Sequence, residues 1–289
     1  MNIIQSYWKN IKEEKKYPFY YTGHHKIESE EFCYIVENHQ EAACQLIDLL
    51  LAGQAIIIKN CMPKDRVKKL ISDTVDWASN TPESYHKMIE KCPNYHESVT
   101  HLFKKRDGYS TVCANHYFFR WNKQSDDIGI FDLVDPVWDS VKILNGQTPD
   151  QYKNNIPKDK IVDRIQFVKY PMNAGIISTH IDPLNIQNIN FVMMCSEPGE
   201  DYKYGGLYLL DSNKEKVYVD EHLASGDAIM FFPNLFHGVE EPRNTKKITK
   251  KEEIWTEKGR WNMIVSVVAT HCSDNRITSK SYEQVIDGQ

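Results

Sequence analysis

From Ile161 onward the chain is a succession of short apolar or alternating runs, at 165–170, 175–178, 189–194, 206–210, 217–219, 228–232 and 261–269. Turn-forming residues separate them, among them Asn173, Pro198, Gly199, Asp211, Ser212, Asn213, Gly226 and Asp227. Many short strands at such intervals bury their apolar faces only by stacking or closing antiparallel sheets, so the pattern predicts a sandwich or barrel. The texture before it differs. Apolar residues at helical spacing predict a helix over 30–51 that stops at Gly53, a strand over 54–59, and a second helix opened by Pro63 with Val67, Leu70, Ile71 and Val75 on one face. Loops are expected over 79–95, around Pro82 and Pro93, then a strand over 111–121 and a helix over 131–144.

A chain of 289 residues accommodates one large β-rich domain with a helical elaboration. The expected organisation is a single domain over 1–289, with 1–150 packing on a core at 160–272 and a charged loop or lid inserted at 240–258. With 35 basic and 40 acidic residues the formal charge is −5, which offers no broad basic field for nucleic acid. No apolar run is long enough to span a bilayer, and residues 1–16 lack a basic end followed by an apolar stretch, so a soluble cytoplasmic protein is expected. Seven cysteines without a CxxC pair fit small buried hydrophobes better than a disulfide framework.

One constellation in the strand-rich part can carry chemistry. Two histidines and one carboxylate on a single face hold iron while leaving positions open. His180 and Asp182, at i and i+2, project to the same side of an extended strand or its end. His237 follows the apolar run 228–232 and the bend at Pro233, where a barrel would deliver a third ligand from a distant strand. By itself a His-x-Asp is a weak signal among 11 histidines, although it occurs only here.

The order of the flanking features makes the pattern more specific. A strand ending in Tyr170-Pro171 precedes His180-Ile181-Asp182; after it come the run 189–194, Gly205-Gly206, Gly226-Asp227 with 228–232, and His237-Gly238-Val239. From Arg164 to Val267 the chain resembles the iron(II) and 2-oxoglutarate-dependent dioxygenases, with some likeness to their prolyl-hydroxylase branch. The resemblance implies a mainly β fold with flanking helices around a double-stranded β-helix (jelly-roll, cupin-like) core. It further implies Fe(II) on His180, Asp182 and His237, with 2-oxoglutarate and O2 as cosubstrates and release of succinate and CO2. In that family a basic residue heading the last strand grips the far carboxylate of 2-oxoglutarate. Arg260 occupies that place, with Tyr170 and Asn262 as further candidates, because a planar guanidinium matches a carboxylate in bidentate fashion. Arg243 is nearer to His237, but it follows Pro242 in a polar segment without a predicted strand. The carboxylate of Asp182 argues against halogenation, which in relatives needs that position vacated.

A hydroxylase of a small molecule, such as an amino acid or natural-product intermediate, is the preferred expectation, since the N-terminal helices and the charged insertion together could cover the iron. A protein hydroxylase of the same superfamily and a catalytically inactive binding or sensing barrel are the alternatives. His116 and Arg120, in the run 116–121, are candidates for touching substrate, against the blander role of packing helices onto the barrel. Lys104, Lys105 and Arg106 form a short basic patch best explained as a solvated helix end.

Overall fold

A computed structural model describes residues 3–14, 16–101, 109–184, 186–245 and 259–287. The first part runs α1 (Ile3–Glu14), β1 (Gly23–Glu28), α2 (Ser29–Asn38), α3 (Gln40–Leu51), β2 (Gln54–Lys59) and α4 (Lys64–Ser79). The spacing predicts one helix over 30–51, but the structure holds two, parted at His39, whose φ of −131° and ψ of 72° leave the helical region. The cause is legible afterwards. Residues 37–41 are all polar, so between the buried anchors Val36 and Ala43 nothing ties a continuous helix to the core. In β2, by contrast, Ala55, Ile56, Ile57 and Ile58 are all fully buried, as expected of a strand covered on both faces.

After β3 (Tyr95–His101), β4 (Thr111–Phe119), α5 (Lys123–Ile128) and α6 (Ile130–Leu144) comes the strand-rich part. It comprises β5 (Ile161–Pro171), β6 (Ile176–Ile181), β7 (Asn190–Met194), β8 (Tyr204–Leu210), β9 (Lys216–Tyr218), β10 (Ala228–Phe231), β11 (His237–Arg243) and β12 (Gly259–Ala269), followed by β13 (Lys280–Ser281) and α7 (Tyr282–Ile286). Hydrogen bonding orders these strands β10-β7-β12-β5 on one side and β6-β11-β8-β9 on the other, all antiparallel. The chain thus winds back and forth between two four-stranded sheets, which is the double-stranded β-helix. Two additions enlarge it. β2 pairs with β10 and carries β1 at its edge, whereas β4 pairs with β5 and, through Thr111 and Val112, also with β6, bridging the two sheets along one side.

The strand β5 shows how the two faces divide. Ile165 and Phe167 are buried in the apolar core, while Arg164, Gln166 and Tyr170 turn the other way and line a cavity between the sheets. Helix α6 covers the outer face, with Trp138 stacked on Phe191 at 5.8 Å. Within that layer Lys142 is fully buried and pairs with Asp163 at 2.7 Å, and Asp163 also receives Arg120 at 3.1 Å. Arg120 extends the network to Asp135 at 2.5 Å.

The expected loop over 240–258 begins later than the charge pattern suggests. Glu240, Glu241, Pro242 and Arg243 belong to β11, where Glu240 pairs with Gly206 and Arg243 with Tyr204. Arg243 therefore does stand on a strand, and its guanidinium donates to Glu240 at 2.8 Å. Charge obscured this strand because its side chains pair with one another across the sheet surface. Residues 246–258 of the expected loop, and the basic patch at Lys104, Lys105 and Arg106, lie outside the described residues.

His116 in β4 is buried, with Nδ1 at 3.0 Å from the carbonyl of Phe167, so the neutral ring carries its proton there. Burial pulls its pKa down to about 4. The unfolded chain, with a value near 6.5, binds that proton more readily. This histidine's contribution is therefore intact above about pH 6.5 and is lost as pH falls toward 4, to the extent of roughly 3 kcal/mol. Thermal unfolding of His116→Gln should accordingly lose less stability between neutral pH and pH 4 than the parent protein; parallel curves would contradict the assignment.

Candidate metal centre and adjoining cavity

The register of the second sheet sets His237 of β11 directly opposite His180 of β6. Their ring centroids are 4.2 Å apart. Asp182 lies one residue beyond the end of β6 and returns to the same spot, its backbone N–H held by the carbonyl of Pro233 at 3.0 Å. The Asp182 carboxylate then stands 3.7 Å from His180 Nε2 and 3.4 Å from His237 Nε2. Ligand atoms of all three lie within 4.8 Å of one another, the one such group of metal-binding side chains among the described residues.

Each side chain is oriented by a second partner. His180 Nδ1 faces the carbonyl of Ser178 at 3.0 Å and His237 Nδ1 that of Leu235 at 2.8 Å. A carbonyl only accepts, so each Nδ1 carries the proton and each Nε2 presents a lone pair toward Asp182. The carboxylate accepts from Ser279 Oγ at 2.6 Å and from Asn190 Nδ2 at 2.8 Å, one donor per oxygen. Both histidines are buried, with Tyr109 stacked on His180 at 4.9 Å and the Phe231 ring set at a steep angle against His237. Burial, and then the neighbouring His237, pull the pKa of His180 down to about 4, against the attraction of Asp182. Burial disfavours the charge of Asp182, but the adjacent His237, then His180 and the Ser279 hydroxyl, outweigh it and hold the carboxyl well below the usual range. Two neutral imidazoles and one ionised carboxylate form a donor set suited to a divalent first-row metal.

The cluster opens on a cavity of about 420 Å3, within the range of small-molecule sites. Tyr170, Arg260 and Asn262, the residues expected to hold a cosubstrate, all line it. Tyr170 and Arg260 are register partners of β5 and β12, and the guanidinium lies 5.7 Å from the Tyr170 ring centre. The Tyr170 hydroxyl has no hydrogen-bond partner among the described residues, and burial pushes its pKa above the ordinary range.

Arg260 is not a bare cation. Its Nε and Nη2 donate to the two oxygens of Asp220 at 2.6 and 2.9 Å, and Nη1 donates to Asn262 Oδ1 at 2.8 Å. Asp220 also accepts from the Tyr202 hydroxyl at 2.5 Å and from the Leu207 N–H at 3.0 Å. It crowds the backbone at Gly206, where φ is +95° and a Cβ would overlap the carboxylate, so only glycine fits. Gly206 thus makes room for the partner of Arg260.

His116 and Arg120, candidates for substrate contact, are both outside this cavity. Arg120 is committed to Asp135 and Asp163, and His116 to the Phe167 carbonyl. Both side chains face the helical layer, so the packing role holds for the pair. Sequence reasoning missed Asp220, Tyr202, Asn190 and Ser279, which no motif spacing ties to the triad. It also assigned no role to Arg164, which lines the cavity.

No family model matches the chain, and no curated protein does. Solved structures do. A full-length Neurospora crassa protein in complex with alpha-KG matches at 11% identity over 86% of each chain with a TM-score of 0.51. A prolyl hydroxylase from Trichoplax adhaerens, in complex with a hypoxia inducible factor peptide fragment, matches at 12% identity over 81% of this chain and 92% of that one, with a TM-score of 0.50. A 2OG-Fe(II) oxygenase family protein from Burkholderia pseudomallei matches at 10% identity over 82% of this chain and 94% of that one, with a TM-score of 0.46. Among the described residues no helix is long and apolar enough to cross a membrane. With two interleaved four-stranded sheets and a His-Asp-His cluster at one end of the cavity between them, the chain has the double-stranded β-helix fold, shared with the Neurospora crassa protein solved with alpha-KG and the Trichoplax adhaerens prolyl hydroxylase.

Proposed function

We propose that the protein is an iron(II) and 2-oxoglutarate-dependent oxygenase that hydroxylates a small molecule. The observation that carries this reading is the convergence of His180, Asp182 and His237 on one point of a cavity whose wall also presents Arg260 and Tyr170. The donor set fits a ferrous ion, since both Nε2 lone pairs and the ionised carboxylate face inward. Bound there with 2-oxoglutarate, the iron would supply the oxygen chemistry that no side chain can perform.

The protein's own part is positional. The Nδ1–H bonds to the carbonyls of Ser178 and Leu235 fix both rings, and Asn190 and Ser279 fix the carboxylate. For the far carboxylate of 2-oxoglutarate, Arg260 would offer the N–H groups not spent on Asp220 and Asn262, and Tyr170 would donate its hydroxyl. Asp220 lessens the net positive charge there, so recognition would rest on directed hydrogen bonds more than on a free cation. The enclosed volume supports a small substrate, and the protein would act without nucleic acid or membrane.

Anaerobic addition of Fe(II) and 2-oxoglutarate should produce a visible charge-transfer band, and admission of air should release succinate. Absence of both would refute the assignment. Tyr170→Phe should raise KM for 2-oxoglutarate about tenfold or more, the scale of one hydrogen bond to a charged group, with kcat little changed. An unchanged KM would remove Tyr170 from the cosubstrate site.

A further inference from the structure

Arg164 is an unusual arginine. It sits on the cavity face of β5, half-buried, and no carboxylate pairs with it among the described residues. Its Nη2 donates to Gln166 Oε1 at 3.0 Å, its guanidinium lies 5.4 Å from the Tyr117 ring centre, and its Nε is buried without an acceptor among the described residues. Burial pulls its pKa below the ordinary arginine range, and a second cation, Arg276, adds to the effect. Glu97 lines the same cavity but forms no ion pair with Arg164. A partly buried guanidinium whose Nε has lost water without gaining an acceptor is costly unless something anionic joins it.

Its position excludes the cosubstrate as that anion. Arg164 and Tyr170 are six residues apart on one strand, about 20 Å at the usual rise of roughly 3.3 Å per residue. Asp182 is held by Asn190 at the start of β7, next to Phe191, which pairs with Val265 beside the Ser266–Arg164 pair of β12 and β5. The His-Asp-His cluster therefore lies toward the Arg164 end of the cavity, with Arg260 and Tyr170 at the other end. The wall beside Arg164 is aromatic: Tyr117 and Tyr95 have ring centres 4.6 Å apart, and Tyr85 meets Tyr95 edge-on at 6.1 Å.

We propose that Arg164 binds the anionic group of the primary substrate, a small acid whose body lies over the Tyr85, Tyr95 and Tyr117 rings. This rests on the oxygenase reading only for the word substrate; the anion site stands or falls by itself. A guanidinium accepts carboxylate and phosphate alike, so the probes separate them.

The test uses metal-free, full-length protein and calorimetric titration with benzoate, phenylacetate and phenyl phosphate, each against a neutral counterpart: benzamide, phenylacetamide and phenol. At least one acid should bind about tenfold or more tightly than its neutral counterpart, and Arg164→Gln should erase that preference. Arg164→Lys, which keeps the charge but loses the fork, should retain part of it and guards against a folding defect in the first variant. A preference for none of the acids, or one that survives in Arg164→Gln, overturns the proposal. Because no iron is present, anion binding without succinate release would sink the oxygenase reading and leave this site standing, and the converse result would do the reverse.

Discussion

Asp182→Ala is expected to abolish iron-dependent succinate release, and His180→Ala and His237→Ala should do the same. Three ligands are the fewest that hold a ferrous ion firmly while leaving positions for a keto acid and oxygen. Loss of partners that merely orient such ligands already costs ten- to a hundredfold in affinity or activity, so loss of a ligand itself should cost at least about a hundredfold in each. Asp182 is the sharpest of the three. Its carboxylate faces both Nε2 atoms and carries the cluster's negative charge, so alanine leaves two neutral imidazoles with no anion to balance the metal. Anaerobic Fe(II) titration beside a succinate assay checks this, and full turnover in any of the three variants would dismiss the centre. Wild-type-like unfolding of the apo-variants would show that the loss is chemical.

The largest loss of stability is expected from Asp220→Ala. This carboxylate is 2% exposed and accepts two bonds from Arg260, which is 1% exposed, one from Tyr202 and one from the Leu207 N–H. Alanine would leave a buried guanidinium without its counter-charge and two further donors without an acceptor. Breaking a buried pair from one side costs about 3–5 kcal/mol, well above the value of a surface ion pair. Chemical denaturation should register a loss of that size. The double variant Asp220→Ala, Arg260→Met should recover part of it, since removing both charges avoids the orphaned cation. Additive losses would mean that the two side chains are not coupled.

The sequence disclosed the convergence of the three side chains better than the support beneath them. The convergence of His180, Asp182 and His237 was legible because a strand's two-residue period joins the first two, and the order of turns and apolar runs around them resembles that of a known family, which implies the third. Arg260 was legible by position, but its partner was not: Asp220 sits in a short helical turn forty residues earlier, and only the fold brings the two together. Strands β1 and β3 escaped notice for a different reason. Gly23-His24-His25-Lys26 and Tyr95-His96-Glu97-Ser98 are polar strands with few buried apolar residues, so they carry little alternating signal. Arg164 was the missed opportunity. In β5 polar residues fall at 164 and 166 between the apolar 165 and 167, which already says that one face of this core strand looks into something wet.

Because β4 borders both sheets and β3 is paired to it, the side chains Tyr95, Asn115 and Tyr117 enter the cavity from outside the eight strands of the double-stranded β-helix. On the proposed function, the aromatic wall that would meet the substrate thus stands apart from the strands carrying the His-Asp-His cluster, while Arg164 stays on the core strand β5. Varying that hairpin would then change this wall while leaving His180, Asp182 and His237 in place, which makes it the first segment to randomise when altered specificity is sought.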